Sequence, residues 1–187
     1  GANGGTGYYG GANEDRKVDR MTYYNWPKIW NHVRELQPNA VIFSDAGPDV
    51  RWVGNESGFA GETNWSTLNR DLVWPGWPHY QQLQFGHKQG SHWVPAEVDV
   101  SIRPGWYYHA SEDHKVKTLP ELLDIYYHSI GRNASFLLNI PIDRTGQIHP
   151  NDSAGMMALA MQLEKDFETN LAAGLPVETT SYRGENS

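Results

Sequence analysis

The sequence contains no cysteine. That excludes a disulfide framework and a thiolate zinc ribbon, and it leaves the compartment open. Charge is sparse, with Asp, Glu, Lys and Arg at 20% of residues, which excludes a disordered polyelectrolyte. Basic residues are outnumbered, 15 Lys and Arg against 22 Asp and Glu, for a formal net charge of −7. A nucleic-acid binder shows the opposite balance, a basic patch or stripe. No apolar run approaches the ~18 residues that span a bilayer. There is no initiating methionine and no signal-peptide pattern. Gly1-Ala2-Asn3-Gly4-Gly5-Thr6-Gly7 reads as a loop already leaving something, and the expectation is a piece of a longer protein.

What is present is an ordinary domain length of 187 residues, with 39% hydrophobic residues to build a core. Aromatics stand out: eight Trp and ten Tyr, beside nineteen Gly and eleven Pro. That mixture belongs to an enzyme with long structured loops or to a sugar-binding surface.

The Gly-rich opening is no phosphate loop, because no Gly-Lys-Ser/Thr follows it. A helix is predicted after Asn25 as N-cap. Pro27 sits in its first turn, Trp26, Ile29, Trp30, Val33 and Leu36 lie on one face, and Pro38 ends it. Ala40 to Ser44 is a short apolar run, the mark of a buried strand. Residues 45–95 show little periodicity and many aromatics; so long an irregular stretch inside a domain is usually functional. Alternation predicts a strand over 97–103. Thr118-Leu119-Pro120-Glu121 reads as a capping box opening a helix that places Leu122, Ile125, Tyr126 and Ile130 on one face. Ala134 to Ile140 is a further strand. Asn151 or Ser153 caps a last helix carrying Met156, Leu159, Ala160, Leu163 and Phe167 at helical spacing. Strands followed by helices imply parallel pairing, in an open α/β sheet or in part of a (β/α)8 barrel. Barrel active sites lie just past the C-terminal ends of strands, where this order of elements puts Asp45, Glu56, Arg103, Trp106 and Asn139.

Three constellations could carry chemistry. Glu56 lies in Arg51-Trp52-Val53-Gly54-Asn55-Glu56-Ser57-Gly58. A Trp and two glycines around a carboxylate give a partly desolvated setting suited to a general acid; Glu62 and Asp49 are rivals in the same stretch, and a solvated loop glutamate is the bland alternative. Arg103-Pro104-Gly105-Trp106-Tyr107-Tyr108-His109 follows a strand directly. An indole there can lie against the apolar face of a sugar ring while Arg and His donate to hydroxyls, or it is simply a packed Trp. His79, His87 and His92 form the closest histidine group, but no His-Glu-x-x-His aligns them, and no metal or other cofactor is assigned. Asn55, Asn64, Asn133 and Asn151 head Asn-x-Ser sequons, a pattern short enough to arise by chance. No serine stands in a nucleophile-elbow context.

Taken together, the segments at 1–4, 51–56, 103–109 and Leu137-Leu138-Asn139-Ile140-Pro141 with Gly146 and Ile148 resemble, in that order, the α-L-fucosidases of glycoside hydrolase family 29. The resemblance covers residues 1–174. It implies an α/β fold in which 1–174 form the second half of a (β/α)8 TIM-like barrel, and in which 175–187 are a linker or the start of a C-terminal β-domain. It implies exo-acting removal of terminal α-L-fucose from glycans with retention, Glu56 acting as acid/base and Trp106, Arg103, Trp52 and His109 contacting substrate. The Arg51 to Glu56 segment is similar to that of the subgroup acting on branched α-1,3 and α-1,4 linkages. In the family pattern the nucleophilic Asp stands immediately before Gly-Ala-Asn-Gly, a position that here precedes Gly1. The implied partners are a fucosylated oligosaccharide or glycoconjugate and the remaining, N-terminal half of the same barrel, with no nucleic acid and no membrane span. The implied location is periplasmic or extracellular. A carbohydrate-binding fragment or pseudoenzyme without catalysis is the alternative.

Overall fold

A computed structural model describes residue 19 and residues 21–179. The Gly-rich opening and residues 180–187 of the tail lie outside the described residues. Helix α1 spans Trp26–Leu36, strand β1 Phe43–Ser44 and β2 Val50–Trp52. The short pair β3 (Thr67–Leu68) and β4 (His92–Trp93) is antiparallel. Strand β5 spans Ala96–Ser101, helix α2 Leu119–Ser129, strand β6 Ala134–Asn139 and helix α3 Pro150–Asp166. The main sheet has four strands in the order β1-β2-β5-β6, every neighbouring pair parallel.

The chain enters α2 where the sequence predicts it. The Thr118 N–H donates to Glu121 Oε2 at 2.7 Å, satisfying a group that a helix start otherwise leaves bare. Leu122 and Ile125 are buried, while Ile130 falls in a separate 3-10 turn and is 45% exposed. Two predicted caps are corrected. Asn25 adopts a left-handed conformation and makes no side-chain cap. The last helix is capped by neither Asn151 nor Ser153 but by His149, whose Nδ1 accepts from the Asn151 N–H.

The register sorts the strands into two faces. Arg51 pairs with Ala96 and Ala96 with Ala134, all buried. Val53, Ala96, Val98 and Ala134 pack together on that side. Further along, Ile102, Leu122 and Leu159 form a core with Phe136, Leu138, Ile140 and Met156, so α2 and α3 cover this face. The alternate residues point the other way: Phe43, Trp52, Glu97, Asp99, Ser135, Leu137 and Asn139. On that side Phe43 and Leu137 are each 45% exposed. Parallel sheets are normally covered on both faces. The described residues cover this one on one face only, and there the apolar run at 40–44 yields two strand residues and no buried one.

Residues 45–95, predicted as one irregular stretch, are organised. They supply β2, the β3–β4 pair and a 3-10 turn over Tyr80–Gln84. They also build their own core of Ala46, Leu68, Val73, Leu83 and Val94. The organiser is Arg51, fully buried. Its Nε donates to Leu83 O at 2.8 Å, and its Nη2 donates to Asn64 Oδ1 at 2.6 Å and Trp65 O at 2.9 Å. Nη1 donates to Val94 O. Burial pulls the guanidinium pKa down to about 10, so it stays charged at neutral pH. Asn64 and Asn133 close the same region reciprocally. Asn64 Nδ2 reaches Asn133 O at 2.9 Å, and Asn133 Nδ2 reaches Asn64 O at 3.0 Å.

Removing the guanidinium leaves these buried acceptors unpaired, at about 1–3 kcal/mol each. Arg51→Met is therefore expected to cost about 3–5 kcal/mol. Urea unfolding checks it, and Arg51→Lys, which restores charge without the fork, should recover less than half of the lost midpoint.

Candidate active site

Glu56, Trp106 and Asn139 meet past the C-terminal ends of three neighbouring strands. β2 ends at Trp52 and the chain continues through Gly54, at φ 84°. A Cβ there would lie 2.6 Å from Tyr80 O, so only glycine lets the segment pass Tyr80. Two residues later Glu56 emerges, exposed, and its Oε2 accepts the Trp106 indole N–H at 2.8 Å.

Trp106 itself stands on a turn fastened at several points. Ser101 Oγ donates to Gly105 O at 2.7 Å, and Asn139 Nδ2 donates to Trp106 O at 3.1 Å. Arg103 has no solvent exposure in its side chain. Its Nε lies 2.8 Å from Asp152 Oδ1, Nη2 2.5 Å from Asp152 Oδ2, and Nη1 2.9 Å from Asp113 Oδ1 and 3.3 Å from His109 O. Its guanidinium also lies over the Tyr108 ring, 4.8 Å from the centroid. The hydrogen bonds to Asp152 raise the arginine's pKa further above its ordinary value. Arg103, expected to touch sugar, is thus turned inward and ties the Trp106 turn to the start of α3. His109 is exposed and uses its backbone carbonyl in the same network.

Asp99 is the acidic residue that the motif reading passed over. It lies on the uncovered face, half-buried, and its Oδ1 accepts the Trp52 indole N–H at 2.5 Å. Desolvation raises its carboxyl pKa; the Trp52 hydrogen bond works against this, and the charge of Glu56 works with it. The signal was in the alternation of 97–101, which puts Glu97, Asp99 and Ser101 on one face. The site therefore holds two carboxylates, each meeting an indole N–H. Trp52 in turn packs edge-on against Tyr80, with centroids 5.9 Å apart.

The rivals of Glu56 lie elsewhere. After Ser57 the chain doubles back along α2: the Ala60 N–H donates to His128 O at 2.9 Å, and Asn64 docks on Asn133, just before β6 begins. Glu62 lies between these two anchors, at the N-terminal end of the strands. Asp49 accepts the Ile42 N–H at 2.6 Å and pairs with Arg34 of α1. Asp45 is spent on the Gly76 N–H at 2.9 Å. Among the described residues no group of three or more His, Asp or Glu side chains could hold a metal ion. His87 Nδ1 accepts the Asn69 N–H at 3.0 Å, and His92 Nδ1 lies 2.8 Å from Ser91 Oγ.

Comparison with known proteins gives this geometry a family. No family model matches the chain. α-L-Fucosidase 1 of Arabidopsis thaliana is 45% identical over 178 residues, covering 95% of this chain and 34% of that protein. A solved glycoside hydrolase 29 family member from an unknown rumen bacterium is 49% identical with a TM-score of 0.84, covering 97% of this chain and 32% of that one. The chain belongs to the glycoside hydrolase 29 α-L-fucosidases. A Ruminococcus gnavus GH29 fucosidase in complex with fucose is a more distant likeness, at 26% identity and TM-score 0.68, covering 89% of this chain and 33% of that one. This fucosidase-family chain spans about a third of the length of these relatives.

The raised Asp99 pKa carries a sign. The folded chain holds the Asp99 proton more firmly than the unfolded chain, so folded Asp99 binds more protons at and above its ordinary value of 3.8. Stability falls as pH rises through and above that value, as the folded carboxyl is made to give up its proton. Asp99→Asn is expected to raise the urea midpoint at pH 7, with the two proteins converging as pH falls toward 3.8. Equal midpoints at pH 7 would contradict this.

Proposed function

We propose that this chain supplies part of the (β/α)8 catalytic barrel of a retaining exo-α-L-fucosidase, with Glu56 as its acid/base. The observation that carries it is the Glu56 carboxylate held by the Trp106 indole, 2.8 Å away, past the C-terminal ends of the strands. That is where barrel enzymes place their chemistry. The uncovered sheet face, with Phe43 and Leu137 exposed, supports a barrel interior that the rest of the protein closes.

Retention needs a second carboxylate about 5–5.5 Å from the first. The family resemblance puts it immediately before Gly1. That carboxylate oxygen attacks the anomeric carbon of fucose while the glycosidic bond breaks. Glu56 gives its proton to the departing oxygen. Glu56, now a carboxylate, then takes a proton from water, whose oxygen bonds to the anomeric carbon and releases the enzyme carboxylate. Trp106 offers its ring to the sugar and its N–H to Glu56. The substrates are fucosylated oligosaccharides or glycoconjugates met outside the cytoplasm, in the periplasm or the extracellular space. No helix among the described residues is long and apolar enough to cross a membrane.

In the full-length enzyme, Glu56→Ala is expected to lower turnover of a fucosylated oligosaccharide by ~10²–10⁴-fold. Azide should restore turnover of an aryl α-L-fucoside with a good leaving group, giving fucosyl azide. Unchanged oligosaccharide turnover removes Glu56 from the mechanism. Binding of fucose by an unaltered protein that cleaves no α-fucoside would make the chain part of a carbohydrate-binding protein. The 187-residue polypeptide alone, a third of the relatives' length, is expected to hydrolyse no aryl α-fucoside.

A further inference from the structure

The strands β5 and β6 run in register for six residues and end together, with Ser101 opposite Asn139. Both side chains are turned to the uncovered face and both are at least half-buried. The Asn139 amide donates to Ser101 Oγ at 3.0 Å and to Trp106 O at 3.1 Å. Ser101 Oγ donates to Gly105 O at 2.7 Å and accepts the Arg103 N–H at 3.3 Å. Two consecutive carbonyls of the turn, those of Gly105 and Trp106, are thereby held by one pair of opposed side chains. The indole of that same Trp106 reaches Glu56 at 2.8 Å.

We propose that Asn139 and Ser101 are positioning residues that act through Trp106 to aim the Glu56 carboxyl. This rests on Glu56 being the acid/base. The physical reason is leverage. Glu56 is exposed on a loop and the described contacts give its carboxylate a single donor, the indole. The orientation of that indole depends on the backbone of a turn that contains a glycine. Without the clasp the turn is free to swing, and small displacements at a general acid are costly because proton transfer demands hydrogen-bond distance. Arg103 fixes the base of the turn; Asn139 fixes the residue that touches Glu56.

Asn139→Asp keeps the size and loses the donor; Ser101→Ala, which leaves the Asn139 to Trp106 contact in place, is the milder second variant. In the full-length enzyme, Asn139→Asp is expected to lower kcat on a fucosylated oligosaccharide by about tenfold or more, with KM within about threefold. An aryl fucoside whose phenol leaves without protonation should be slowed only in its second step, and azide should relieve that slowing. Equal losses on both substrates, unrelieved by azide, would mean that Asn139 merely holds the fold. A second readout is independent of turnover: ¹⁹F NMR of 5-fluorotryptophan-labelled protein, with the Trp106 resonance assigned by Trp106→Phe. Asn139→Asp and Glu56→Gln should both move that resonance. If Asn139→Asp leaves it in place, the clasp is refuted. If the unaltered protein cleaves no α-fucoside, the acid/base assignment fails while the resonance still decides whether the clasp exists.

Discussion

The parallel ladder between β5 and β6 is the constraint on which the rest of the molecule depends. Six consecutive pairs, from Ala96 with Ala134 to Ser101 with Asn139, leave no freedom of register. A slip of one residue would turn Val98 and Val100 outward and bury Glu97 and Asp99 against α2 and α3. The hydrophobic core of Ile102, Leu122 and Leu159 thus decides where the carboxylate Asp99 stands and where the clasp residues meet. Chemistry at the end of the sheet is set by packing along its length.

Two buried arginines divide the remaining work. Arg51 gathers the long connection through carbonyls of Leu83, Val94 and Trp65, while Arg103 gathers the Trp106 turn through carboxylates of Asp113 and Asp152. The difference in partners has electrostatic consequences. Among the described residues Arg51 meets carbonyl dipoles and no carboxylate, and burial draws its pKa down. Carboxylates neutralise Arg103 and draw it up. Arg51 is thus a costly charge tolerated because its fork satisfies several carbonyls at once. Arg103 is a charge placed among its opposites.

How much of this was legible in the sequence follows from the range of each interaction. The start of α2 was readable because Thr118 and Glu121 are three residues apart and the capping box is local. The alternation of 97–103 announced β5 for the same reason, although the strand itself ends at Ser101. β2 was not readable: it is three residues long, and the arginine at its centre is buried by carbonyls that follow 32 and 43 residues later. Arg103 was recognisable as unusual but not as inward-facing, since Asp152 lies 49 residues away. Spacing could not choose between Glu56 and Glu62. The preference for Glu56 came from its place in the family-like segment; that the chain doubles back along α2 and carries Glu62 away from Trp106 is a tertiary event with no local signature. The family resemblance supplied what periodicity could not, the order of motifs along a barrel rim.

The Asn-x-Ser sequons gain a meaning from the closure between Asn64 and Asn133. Each of these side-chain amides donates to the other's backbone carbonyl. Asn55 spends its amide nitrogen on Phe59 O at 3.0 Å, and Asn151 spends its own on Asp113 O at 2.8 Å. All four acceptor nitrogens are engaged within the fold. A glycan joined at Asn64 or Asn133 before folding would occupy the nitrogen that seals the long connection to the root of β6, so glycosylation and closure compete for the same atom. In a secretory pathway that modifies nascent chains, the order of the two events would determine whether this segment folds.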